Sequence, residues 1–216
     1  MRVLVTGGST RVMIDQVRCV GNIFKGRTAT EIATHFASQR GCKVDVIGNK
    51  NMPVQQFYSH FEHYSTYDEL YEAMEYQIIN NRYDVIIHSA AVSDYRVKDV
   101  LNSDMESIKS GKVSSGEGEI YLKMVPTNKI VDKIREWGLN GVLVKFKLQV
   151  DMPISELISV AKNSREASNA DIIVANCLEW ARDSAILIDR QGNESLVRRE
   201  ILPKELYKMV KEKLNQ

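Results

Sequence analysis

The chain opens MRVLVTGGSTR (Met1 to Arg11), an apolar, mostly β-branched run that breaks off into two glycines and small hydroxyl residues. A run without polar alternation suits a strand covered on both faces, and such strands belong to parallel sheets flanked by helices. Gly7-Gly8-Ser9-Thr10 then stands at the carboxyl end of the first strand, where open parallel sheets bind ligands. Four similar runs follow, Val44 to Ile47, Val85 to Ile87, Val142 to Val144 and Ile172 to Val174, separated by segments of helical period. The expectation is an α/β fold: a doubly wound, mostly parallel Rossmann-like sheet with a C-terminal β-hairpin and a polar flap.

The intervening segments carry their own punctuation. After Gly26, the residues Ala29, Ile32, Ala33 and Phe36 share one helical face, and Gly41 can end the helix in the left-handed conformation. Thr66 and Glu69 form a capping box ahead of Leu70, Ala73, Met74 and Gln77. Thr127 is expected to cap a helix bearing Ile130, Val131, Ile134 and Trp137, with Gly138 at its end. Another helix is expected from Ser155 to about Ser168. Pro203 opens a terminal helix with Leu206, Met209, Val210 and Leu214 inward. Ala185 to Asp189 and Leu196 to Arg199 are expected to pair as the hairpin, joined through Gln191-Gly192-Asn193. Lys98 to Gly118, rich in Ser, Gly, Asp and Lys, is too polar to bury and too long for an ordinary connection, which marks it as a lid or flap. With no internal repeat and no low-complexity linker, residues 1–216 are taken as a single domain.

Composition narrows the function classes. Twenty-nine Lys and Arg against 28 Asp and Glu leave a formal net charge of +1, so binding to nucleic acid or to an anionic membrane surface is not expected. No apolar run reaches the roughly 18 residues of a membrane span, and the N-terminus starts a strand without a basic leader, so a cytoplasmic protein is expected. Cys19, Cys42 and Cys177 are scattered and lack CxxC spacing, which suits buried thiols better than disulfides or a zinc site.

Gly7 and Gly8 alone are a weak nucleotide signal. A dinucleotide fingerprint would need a third glycine at a helix start and an acidic residue ending the second strand, but that strand ends in Gly48-Asn49. Asp15 to Arg27 forms a second polar loop opening the long helix. Its backbone N–H groups at Gly26 suit a phosphate, with Arg18, Lys25 and Arg27 as local positive charge. After the third strand, the small residues Ala90 and Ala91 permit close approach of a flat ligand, and Asp94 can accept from a sugar hydroxyl or a base amine. An NAD(P)-dependent reductase of Rossmann type and a non-catalytic nucleotide-binding protein are the alternative readings at this point.

The blocks VTGGSTR, DQVRCVGN, KGR, AAVSDYR, KVSS, KMVP, VKFKLQVD and DIIVAN, from Met1 to about Ile201, resemble the phosphopantothenate–cysteine ligase family in order and spacing. The resemblance implies a ligase of coenzyme A biosynthesis. A nucleoside triphosphate, CTP or ATP with Mg²⁺, activates 4′-phosphopantothenate as an acyl-nucleotide, and the amine of cysteine then attacks the acyl carbon. By the same resemblance, Asn22 is the family asparagine that holds the acyl-nucleotide, and Lys112 or Lys109 is the flap lysine. Phe146 borders the base, and Asn176 contacts the nucleotide. A homodimer with the hairpin and flap as candidate contacts is implied, as is a monofunctional form without the upstream decarboxylase domain. The metal ligands are unassigned. The chain departs from the family at Ile23-Phe24-Lys25, where serines are usual, and at Ala29, where glycine is common. It also carries Ser164 and Ser168 where CTP-using members have lysines, with Lys162 and Arg165 nearby.

Overall fold

The computed structural model describes residues 1–109 and 111–215, so Ser110 of the expected flap and the terminal Gln216 lie outside the described residues. Strand β1 (Arg2–Gly7) is followed by a small hairpin of β2 (Arg11–Met13) and β3 (Cys19–Gly21), then by helix α1 (Arg27–Ala37) and β4 (Lys43–Asn49). Strand β5 (His60–Tyr64), helix α2 (Tyr67–Asn80) and β6 (Val85–His88) come next. A long antiparallel arm, β7 (Tyr95–Leu101) and β8 (Tyr121–Pro126), leads to the short helix α3 (Ile130–Lys133) and β9 (Val142–Gln149). The chain closes with α4 (Ile154–Ala167), β10 (Ile172–Cys177), β11 (Ser184–Ile188), β12 (Glu194–Arg198), a 3-10 turn at Arg199–Ile201 and α5 (Leu202–Leu214).

Among the described residues the main sheet has eight strands in the order β12-β11-β10-β9-β6-β1-β4-β5. The strands from β10 to β5 are parallel, while β11 and β12 add as the antiparallel hairpin. From β1 the chain crosses over α1 to β4 on one side, and after β5 it returns over α2 to β6 on the other. This reversal opens a crevice at the carboxyl ends of β1 and β6.

Each face has its own core. Val3, Val5, Val44, Val85, Val144 and Val174 pack under α1 and α5, while Leu4, Ile47, Ile86 and Leu143 pack under α2 and α3. Leu157 and Ala161 of α4 cover Ile173 and Ala175. The expected face of α1 is fully buried at Ala29, Ile32, Ala33 and Phe36. Both halves of the Thr66–Glu69 capping box are present.

Several expectations are corrected. Lys98 to Leu101 belong to β7, and Val100, Leu101 and Val113 are buried, so the polar flap is largely a two-stranded arm with apolar anchors. Alternation along that arm leaves one side wet, which is why its composition looked unburiable. Part of the loop from Asp15 to Arg27 is likewise strand β3, paired with β2. Thr127 does not cap α3: its hydroxyl donates to Ser93 O at 2.7 Å, and Lys129 occupies the cap position. The β5 strand was not expected. Met209 is only partly buried and Leu214 is exposed, because the last turns of α5 run past the sheet. Cys19 is exposed on the hairpin, and only Cys177 is fully buried.

Candidate functional site

Two loops meet at the crevice, and backbone hydrogen bonds stitch them together. The amide of Ala91 donates to Gly8 O at 2.8 Å, and the amide of Thr10 donates to Ala91 O at 3.3 Å. The Ser93 amide donates to Thr10 Oγ1 at 2.9 Å. This approach requires small residues. A Cβ on Gly7 would lie 2.3 Å from Ala29 Cβ, and one on Gly26, whose φ is +85°, would lie 2.9 Å from the Gly8 nitrogen. The glycines therefore bring the first turn of α1 against the tip of β1. That turn has no side-chain cap and no acidic residue, so its N–H groups are open to an anion.

The expected site residues divide into those the fold assembles and those it disperses. Gly7, Gly8, Gly26, Ala90 and Ala91 line the crevice. Asn22, exposed just after β3, donates from Nδ2 to Ala91 O at 3.4 Å. Asp94 is exposed one residue beyond Ser93, and its carbonyl accepts from the Thr127 amide at 2.9 Å. Phe146 and Asn176 lie on neighbouring strands, with Val174 opposite Phe146 and Asn176 opposite Leu148, on the sheet face that α1 and α5 cover. Asn176 is 7% exposed and its Oδ1 is buried without a hydrogen-bond partner.

The basic residues are less uniform. Lys25 is exposed beside Gly26, and Arg27 pairs with Glu31 at 2.9 Å on the solvent side of α1. Arg18 is engaged within the protein: Nη2 donates to Val113 O at 2.5 Å, and Nε lies 3.7 Å from Asp15 Oδ2. Lys109 and Lys112 are both exposed on the segment after β7. Lys112 stands between two tied residues, since Gly111 O accepts from the Gln16 amide at 3.0 Å and the Val113 amide donates to Asp15 Oδ2 at 3.1 Å. Of the cations near Ser164 and Ser168, Lys162 pairs with Glu194 at 2.6 Å and the buried Arg165 donates to Ala170 O. Lys145 of β9 donates instead to Ser164 O and Ser168 Oγ, at 2.9 and 3.0 Å.

Three further groups were not anticipated. Asn49, at the tip of β4 where a dinucleotide fold carries an acid, donates to Ser9 O at 3.3 Å. His88 ends β6 opposite Lys145 in the strand register. Burial foremost, then the Lys145 charge, pushes His88 down to about 4, and burial pushes Lys145 down to about 8. Asp15 was noticed only as a loop residue. Its bonds to the amides of Val17 and Arg18 are a local turn signal, but its bond to Val113 spans 98 residues.

Comparison with known proteins agrees with this fold. The family described as DNA/pantothenate metabolism flavoprotein C-terminal domain matches residues 1–216. The Coenzyme A biosynthesis bifunctional protein CoaBC of Thermococcus kodakarensis is 35% identical over 200 residues, covering 91% of this chain and 47% of the relative. A Phosphopantothenate–cysteine ligase of Mus musculus is 31% identical over 109 residues, covering 50% of this chain and 33% of the relative. The chain thus spans about half or less of the length of these curated relatives. The crystal structure of the DNA/Pantothenate Metabolism Flavoprotein from Streptococcus pneumoniae superposes with a TM-score of 0.88 at 26% identity, covering 98% of this chain and 99% of that one. By the match over its whole length, the chain belongs to the DNA/pantothenate metabolism flavoprotein C-terminal domain family.

Proposed function

We propose that residues 1–216 act as one phosphopantothenate–cysteine ligase domain. A nucleoside triphosphate, with CTP favoured and ATP possible, activates the carboxylate of 4′-phosphopantothenate as an acyl-nucleotide with release of pyrophosphate. The amine of cysteine then displaces the nucleotide to form the amide of 4′-phosphopantothenoylcysteine. The reading rests on one observation above the others: Asn22 Nδ2 reaches Ala91 O at 3.4 Å, beside the uncapped first turn of α1. In that position the Asn22 amide can leave Ala91 and donate to the acyl oxygen as negative charge develops there. The α1 N-terminus and Lys25 hold phosphate oxygens, while Gly7, Gly8, Ala90 and Ala91 admit the flat parts of the nucleotide. Asp94 accepts from its polar groups, and Phe146 borders the base. The unpartnered Asn176 Oδ1 awaits a donor, which an exocyclic amine supplies.

Among the described residues no group of three or more His, Cys, Asp or Glu side chains could hold a metal ion. In this reading Mg²⁺ enters with the triphosphate substrate, and its protein ligands are unassigned. Among the described residues no helix is long and apolar enough to cross a membrane. The reading places the enzyme in the cytoplasm, without membrane or nucleic-acid partners. Tyr95, Tyr121 and Met124 on the β7–β8 arm and Leu196 on the β11–β12 hairpin leave apolar surface exposed, which supports a homodimer joined through the flap and the C-terminal hairpin.

The decisive assay is pyrophosphate release with CTP or ATP, each with and without 4′-phosphopantothenate and cysteine. Release that requires phosphopantothenate, and amide formation that also requires cysteine, are expected. Tight NADPH binding without release from either triphosphate would replace this reading with the reductase.

A further inference from the structure

We propose that Asp15 is a positioning residue: it clamps the backbone on either side of Lys112 and so fixes where that lysine stands relative to Asn22. The Asp15 side chain is 1% exposed although it sits in the turn of a surface hairpin. Its Oδ1 accepts from the amides of Val17 and Arg18 at 2.8 and 2.6 Å, and its Oδ2 accepts from the Val113 amide at 3.1 Å. Arg18 completes the clamp by donating to Val113 O at 2.5 Å, while the Gln16 amide holds Gly111 O at 3.0 Å. Asp15, Gln16 and Arg18 of the β2–β3 turn thus hold both neighbours of Lys112, and Val113 is 2% exposed beneath them.

The other end of the same hairpin is equally tied. Thr10 N donates to Ala91 O and Arg11 N to Ser65 O, at 3.3 and 2.7 Å, while β3 runs directly into Asn22. Val12 buries the hairpin's middle. One short rigid element therefore carries Asn22 at its root and grips Lys112 with its turn. A lysine has a long flexible stem, so a fixed Cα is what makes its ammonium arrive at one place. The amide of Val17, with those of Arg18 and Val113, holds the Asp15 carboxyl below its ordinary range against the effect of burial, so the acceptor stays ionised at neutral pH. Replacing one oxygen by an amide NH₂ sets a donor against the amides it must receive.

The kinetic part of the test rests on the ligase reading, and hydrogen exchange does not. Asp15→Asn, Lys112→Gln and the double variant are compared by rapid quench with labelled phosphopantothenate, using the triphosphate that supports turnover. Asp15→Asn is expected to slow transfer to cysteine about 10- to 100-fold, as a displacement near 1 Å does, while the pyrophosphate burst stays within about threefold. The double variant is expected to be no slower than Lys112→Gln, because a misplaced lysine and a missing one are the same defect. Amide exchange at Lys112 and Val113 should rise at least about tenfold with β1 unchanged. Losses that multiply in the double variant, a burst that falls with transfer, or unchanged exchange at Lys112 and Val113 would overturn the proposal. Should Asp15→Asn fail to fold, Arg18→Met cuts the bond to Val113 O and is held to the same criteria. If the wild type releases no pyrophosphate, the ligase reading fails, and exchange alone judges the clamp.

Discussion

Thr6 Oγ1 and His88 Nδ1 lie 2.9 Å apart, buried between the adjacent strands β1 and β6. The Ala90 amide donates to the same Thr6 oxygen at 3.3 Å, and a neutral His88 shares a hydrogen bond with that hydroxyl through Nδ1, as acceptor or donor according to its tautomer. A neutral histidine thereby supports the loop that carries Ala90 and Ala91 into the crevice.

The charge state of His88 sets a pH dependence of stability. Its pKa is pushed down to about 4, against about 6.5 in an unfolded chain, so between these values the unfolded state binds more protons. The stabilisation is complete above pH 6.5 and is lost as pH falls toward 4, by about 3 kcal/mol. Urea denaturation at pH 7 and pH 4.5 measures it. His88→Asn keeps an acceptor near Nδ1 without titrating, and its stability should fall less over the same range. Equal losses in the two proteins would remove His88 as the cause.

Under the proposed mechanism, Asn22→Asp replaces a donor by a negative charge where the oxyanion would develop. Turnover should fall about 100-fold, the scale of removing one such donor. The midpoint of thermal unfolding should move little, because Asn22 is exposed and its bond to Ala91 O is 3.4 Å long. Steady-state turnover near the wild-type value would refute the assignment.

The two flap lysines are separable by their anchoring. Lys112 lies between the tied residues Gly111 and Val113, so Lys112→Gln should impair transfer to cysteine and let the acyl-nucleotide accumulate, with Lys109→Gln mild. Quenched time courses count the intermediate directly. A lost first pyrophosphate burst in Lys112→Gln would move the lysine to the triphosphate, and a defect confined to Lys109→Gln would reverse the two.

Asn176→Leu should separate stability from binding. Removing the buried, unpartnered Oδ1 is expected to raise stability by about 1 kcal/mol, while KM for the triphosphate rises about tenfold through loss of the acceptor. Thermal melts and initial rates test the pair. A variant that is less stable yet binds the nucleotide normally would show that Asn176 serves the core.

Local chemistry made much of this molecule legible in advance. The spacing of Ala29, Ile32, Ala33 and Phe36 required a helix with one buried face, and the capping box at Thr66 and Glu69 is formed by atoms three residues apart. The apolar runs at Val3, Val44, Val85, Val142 and Ile172 could only be strands buried on both faces. The glycines at 7, 8 and 26 marked a close approach because a Cβ has no room there. Other features depend on partners far away in the chain. His60 to Tyr64 has no strong period and becomes β5 because β4 offers it an edge. The arm of β7 and β8 looked too polar to bury because only one of its sides is covered, and its pairing, from Leu101 with Tyr121 to Tyr95 with Pro126, is not local. Asp15 carries no long-range mark in its own neighbourhood, and its role follows from Val113, 98 residues on. Short-range periodicity and capping write themselves into a sequence, whereas pairings between distant segments exist only once the whole chain has closed around them.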